Sequence, residues 1–133
     1  MFDIEICEPR HVVLIRFRGE LAEADFTALD ALGREKQGGK PFDCVFDMTH
    51  VAKAELATGF VSQRGELPQV FKDRERIYVV SEPDLKLLVR LYAAYQASKG
   101  WRAPIIVETL DEAFRRLGVA ASDFRPVDGP GVL

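Results

Sequence analysis

A chain of 133 residues is one domain's worth, enough to bury roughly two thirds of the surface its unfolded form exposes. With 47% hydrophobic and 29% charged residues the composition is that of an ordinary globular protein, and a net charge of −3 argues against nucleic acid, whose affinity comes largely from clustered Lys and Arg on phosphates. No apolar run approaches the roughly 20 residues of a membrane span, and FDIEICEPRH at the N-terminus has none of a signal peptide's three regions, so a cytoplasmic protein is expected.

Phe2 to Cys7 alternates apolar and polar positions, as a half-buried strand does. Glu8-Pro9-Arg10 is a turn, and His11 to Arg18 is a second, more apolar strand that completes an N-terminal hairpin and ends at Gly19. Between Leu21 and Lys36 the apolar residues Phe26, Leu29 and Leu32 recur every three positions, which predicts a helix laid on a sheet and stopped by Gly38-Gly39. A third strand, Phe42 to Met48, carries Asp47 at its end and gives way to a polar turn reaching Glu55. Leu56, Phe60, Leu67 and Phe71 then keep one helical face, interrupted at Pro68. Ile77 to Val80 is a fourth strand, and Ser81-Glu82-Pro83-Asp84 is a helix start with a capping hydroxyl, early acids and a proline in the first turn. That helix runs on through Leu85, Leu88, Val89, Tyr92 and Tyr95 to Gly100. Ala103 to Val107 is a fifth strand, and Thr109 to Glu112 is a capping box opening a short helix that buries Leu110, Ala113, Phe114 and Leu117.

A hairpin followed by three strand–helix alternations predicts a single layered α/β domain over residues 1–118. Its sheet is five-stranded and mostly parallel, with an antiparallel N-terminal hairpin strand, about four helices, and consecutive strands side by side. The remaining residues, 119–133, hold turn formers without a period and read as a loosely ordered tail. Val13, Ile15, Phe17, Val45, Val79, Val80, Ile105 and Ile106 are the expected core of the sheet. The second strand places bulky groups on both sides (Val13, Ile15, Phe17 against Val12, Leu14), so both faces seek cover. Either the tail or a second copy would cover the face that lacks helices, and a two-fold homodimer is the expectation. Cys7 and Cys44 lie in strand-like runs with no CxxC pattern, as reduced buried thiols do.

Three stretches, VVLIRFRGEL, FDCVFDMTHV and APIIVETLDEAFRRL, together with the order of elements over residues 2–118, resemble the STAS family of sulfate-transporter and anti-sigma-factor-antagonist domains. The likeness is to its divergent sporulation-antagonist-like and lipid-transfer-like bacterial branch. In phosphoregulated members the strand ending in Asp leads into an Asp-Ser-Ser-Gly-type helix start, whose serine a partner kinase phosphorylates. The resemblance sets Asp47 on the strand-end Asp, Glu55 on the acid before the helix, and Leu56 and Ala57 on the serine pair. Leucine has no hydroxyl, so the usual switch is expected to be missing; Thr58, two residues along and on another side of the helix, would be its displaced form. A phosphate at a helix start gains from the aligned N–H groups and adds about two negative charges.

The segment from Asp47 to Glu55 is where function is sought, because open α/β sheets bind ligands and partners beyond the carboxyl ends of their strands. Asp47, Thr49, His50, Lys53, Glu55 and Thr58 form the candidate partner-binding surface. His50 beside Asp47 could be a general base, but the segment supplies no reacting partner beyond Thr49 and Lys53, and a solvent-facing turn histidine explains it better. Asp47 alone is a poor metal site, since hard cations want several oxygens; it more often caps a turn. Lys72, Arg74 and Arg76 alternate with acids in KDRER, which is either an anion-binding rim or a solvated loop with paired charges. Phe60, Phe71, Tyr92 and Tyr95 are candidates for an apolar ligand pocket between sheet and helices, against the plainer reading of core aromatics.

The expected function is therefore a non-enzymatic, regulatory protein-interaction module without a cofactor or metal. The alternative is a small-molecule or lipid-binding domain. Cavity volume separates the two: a binding domain needs roughly 300 Å³ or more, whereas an interaction module is packed solid.

Overall fold

Six strands and four helices make up the described residues, 1–35, 40–69 and 73–127, of a computed structural model of the protein. β1 (Phe2–Cys7) pairs antiparallel with β2 (Val12–Ala22), Phe2 opposite Phe17 and Cys7 opposite Val12. β3 (Asp43–Glu55), β4 (Arg76–Val79) and β5 (Ile105–Val107) follow in parallel register, each beside its predecessor. β6 (Arg125–Pro126) returns to pair antiparallel with β1, giving the order β5-β4-β3-β2-β1-β6. The helices are α1 (Glu23–Glu35), α2 (Thr58–Gly65), α3 (Pro83–Ser98) and α4 (Leu110–Leu117).

The mostly parallel sheet with an antiparallel hairpin and four helices is the expected architecture, with differences that have local causes. Gly19 does not end β2. Its φ of 66° accommodates an irregularity in the ladder, and the strand resumes through Ala22. That continuation gives β3 a partner beyond Asp47, so the expected polar turn is strand as far as Glu55, with His50 opposite Arg18 and Ala54 opposite Leu21. The helix after Pro83 is capped by Glu82 and not by a Ser81 hydroxyl: the Glu82 carboxylate accepts the Asp84 and Leu85 N–H groups at 3.0 and 2.8 Å. Thr109 caps α4 as expected, accepting the Glu112 N–H at 3.2 Å.

The tail is packed as far as Val127. A short 3-10 turn at Ala121–Asp123 leads into β6, the Phe124 ring stacks on Phe114 at 5.1 Å, and the Val127 N–H reaches the Ile4 carbonyl at 3.0 Å. Side-chain alternation along β2 sorts the core into two layers. Val13, Ile15, Phe17 and Leu21 lie with Phe46, Tyr78 and Val80 under α1 and α3. Val12 and Leu14 lie with Val45, Ile77, Val79 and Val107 under α4, whose Ala113 and Phe114 are joined by Val119 and Phe124 of the tail. The bare face that would call for a second copy is thus covered within the chain. Ile105 and Ile106, expected in the core, are half-buried because β5 is an edge strand.

Two contacts fix α2 on α3. A Cβ at Gly65 would stand 2.3 Å from the Tyr95 Cβ, so the helices approach where one has no side chain. Gln96, fully buried, donates from Nε2 to the carbonyls of Gly65 and Leu67 at 2.7 and 2.8 Å.

Candidate functional site

β4 pairs with β3 only as far as Asp47, opposite Val79. Beyond that point β3 keeps β2 on one side and, among the described residues, has no strand on the other. The result is a projecting two-stranded ribbon whose outer edge, Thr49 to Glu55, is exposed apart from a half-buried Val51. The strand order never reverses from β5 to β2, so the crevice that doubly wound sheets open at a reversal does not arise here. The candidate surface is a strand edge.

At the base of the ribbon Asp47 is 1% exposed. One of its oxygens accepts the Thr49 N–H at 3.0 Å and the Thr49 hydroxyl at 2.6 Å. His50 Nδ1 lies 3.2 Å from that hydroxyl oxygen and 3.8 Å from the other Asp47 oxygen. A carboxylate only accepts hydrogen bonds, so the threonine's single proton points at Asp47, and the imidazole is left to donate to Thr49. A nucleophile would need the opposite arrangement, with its proton directed at the histidine. Further out, Lys53 and Glu55 pair at 2.7 Å in full solvent, an arrangement that adds little stability.

The first residue of α2 is Thr58, which is exposed, and Ala57 before it offers no side-chain cap. Leu56 and Ala57 therefore precede the helix. The hydroxyl at its start belongs to Thr58, one residue beyond the serine pair that the resemblance sets on this chain.

A second locale lies between the sheet and α1, α2 and α3, where a cavity of about 340 Å³ opens. Its floor is Val13, Ile15, Cys44, Phe46 and Tyr78; Phe26, Leu29 and Leu32 of α1 wall one side. Leu67, Pro68 and Gln69 after α2 form a rim, Leu67 being half-exposed. Among the described residues three arginines, Arg64, Arg74 and Arg76, line it together with one carboxylate, Asp30. Arg64 is held bidentately by Asp30 at 2.7 and 3.0 Å, its guanidinium 4.8 Å from the Phe26 ring centre. Arg74 pairs with Asp43 at 3.1 Å. Arg76 donates to the Tyr92 hydroxyl at 2.8 Å and to the Arg102 carbonyl.

Burial dominates the titration of the floor. It pushes the Cys44 thiol up to about 12, with Asp43 adding to the rise, so no thiolate nucleophile is available at neutral pH. Burial, then Tyr92 beside it, holds the Tyr78 phenol well above its ordinary value.

Of the aromatics singled out by sequence, Tyr92 lines this cavity. Phe60 lines a separate hollow of about 40 Å³ near α2 and α3, and Tyr95 packs on Gly65. Phe71 lies outside the described residues. Sequence reasoning passed over Phe26, Phe42 and Phe46 as pocket residues. The KDRER arginines were the available signal, and the structure turns Arg74 and Arg76 to the cavity. Among the described residues no group of three His, Cys, Asp or Glu side chains is placed to hold a metal, and no helix is long and apolar enough to cross a membrane.

Order, register and helix placement define a STAS-like α/β fold. Among solved structures the chain is similar to the anti-sigma factor antagonist SpoIIAA in its unphosphorylated form, with a TM-score of 0.60 and 17% sequence identity over 89% of this chain and 98% of that one. No family model matches the sequence. No curated protein matches it either.

Proposed function

We propose that the protein is a non-enzymatic, cytoplasmic regulatory module that docks a protein partner along the free edge of β3 and the start of α2. The observation that carries this reading is the run of β3 past its last pairing with β4, which leaves backbone groups and the side chains of Thr49, His50, Lys53 and Glu55 facing outward. A strand edge of this kind takes up an extended partner segment by main-chain hydrogen bonds, with side chains supplying selectivity. The likeness to an anti-sigma factor antagonist agrees with a regulatory partner. Neither a cofactor nor nucleic acid enters this reading. The module works without the serine pair, since Leu56 and Ala57 have no hydroxyl.

A photo-crosslinking residue placed in turn at Thr49, Lys53 and Glu55 tests the surface in cells of the native host, with Arg115 on α4 as the control position. Discrete adducts from the β3 positions and none from Arg115 are expected. Equal adducts at all four, or none, would remove β3 as the docking edge.

The cavity favours a second reading, a small-ligand-binding domain. Its volume passes the threshold that separates a binding domain from a solid one. Native mass spectrometry of the purified protein would then show a co-purified mass.

A further inference from the structure

We propose that the cavity takes a single-chain amphipathic carboxylate, its apolar body between α1 and the sheet and its head on the Arg76 guanidinium. This rests on the second reading above and adds the ligand's chemistry.

Charge pairing around the cavity singles out Arg76. Asp30 occupies Arg64 through both guanidinium arms, and Asp43 occupies Arg74. Arg76 is a half-buried cation whose partners among the described residues are neutral, a phenol and a backbone carbonyl. A guanidinium has five N–H donors, and these two bonds use two. A cation partly withdrawn from water gains from a counter-charge, and an anion with two coplanar oxygens suits the donors left over. The Tyr92 hydroxyl fixes the guanidinium's position beside the cavity, so little ordering remains for the ligand to impose.

Size and wall chemistry limit the rest of the molecule. At the roughly 30 Å³ that a small liquid molecule occupies per heavy atom, the cavity holds about a dozen such atoms. That suits a medium-length single chain better than a two-chain phospholipid. Ile4, Val13, Ile15, Leu29 and Phe46 offer such a chain apolar surface without hydrogen-bonding demands. No bond is made or broken in this proposal; the floor's thiol is protonated and the event is binding.

Isothermal titration with decanoate, decanol and decylamine separates the head from the chain. Decanoate is expected to bind at least about tenfold more tightly than decanol, the difference one hydrogen-bonded charge supplies, and decylamine more weakly still. Arg76→Met should abolish the preference for the acid while leaving decanol binding near its original strength. Leu29→Trp, which fills the cavity, should weaken both. Equal binding of acid and alcohol would overturn the carboxylate assignment and leave the cavity as an apolar site. No binding of any of the three would remove the cavity reading itself, and the carboxylate with it. If Arg76→Met fails to fold, the comparison of the three probes on the unaltered protein still decides.

Discussion

Asp47 and Cys44, three residues apart on β3, face opposite sides of the sheet and answer different physical demands. The Asp47 carboxylate satisfies the Thr49 N–H and hydroxyl where the ribbon leaves the body of the sheet. Asp47→Ala removes both hydrogen bonds, each contributing about 0.5–1.5 kcal/mol net, so we expect a loss of about 1–3 kcal/mol in urea unfolding. Cys44 is half-buried, and desolvation raises its thiol to about 12 from an ordinary 9.0. The folded state keeps this proton longer than the unfolded chain, so stability should fall as pH rises from 9 towards 12 and be insensitive to this group below 9. Alkylation at pH 8 should leave the native protein unmodified and label both cysteines in urea. Residue by residue, burial was easier to read than role. The alternation from Val12 to Phe17 announces two faces without any structure, whereas the spacing that puts Tyr92 and Tyr95 on one helix says nothing of which meets a cavity and which meets Gly65. That difference is made by α2, a separate element, and by a glycine whose neighbour is distant in sequence.

Helices α2 and α3 meet at Gly65, the last residue of α2. Gly65→Ala forces the two helices apart against a backbone-proximal atom of Tyr95, and we expect a cost of about 1–3 kcal/mol measured by thermal unfolding. At this scale the long, periodic elements were legible: β1, α1, α3 and α4 lie close to where their apolar spacing puts them. The second half of β3 was not. Ala, Lys and Glu from Ala52 to Glu55 have weak strand preferences, and only the extension of β2 past a left-handed Gly19 makes a strand of them. The candidate docking edge is therefore a product of pairing, and a reading of local pattern takes it for a turn. β6, two residues long, carries no period to be read. The same dependence on pairing yields a prediction: Gly19→Val strains a backbone at φ 66° and should loosen β3 beyond Asp47, seen as faster amide exchange from Thr49 to Glu55 than in the sheet centre.

Both faces of the sheet are covered within one chain, the second by α4 and the tail as far as Val127. Sedimentation should accordingly return a mass near 14.9 kDa that does not change over a tenfold rise in concentration. A chain ending at Gly118 lacks Val119 and Phe124, exposes part of that layer, and should self-associate under the same conditions. A dimer of the full chain would show that coverage by the tail is insufficient. The fold as a whole was legible because three strand–helix alternations leave few ways to arrange a parallel sheet. The cavity was not, since a void is the failure of distant side chains to meet and leaves no mark on any single stretch of sequence. Gln96 holds one rim of that void in place. Its buried amide ties the end of α2 to α3 through the Gly65 carbonyl and the exposed Leu67 rim through the Leu67 carbonyl. Gln96→Leu leaves both carbonyls without that donor, so amide exchange from Gly65 to Leu67 should be faster than in the unaltered protein while the sheet centre is unchanged.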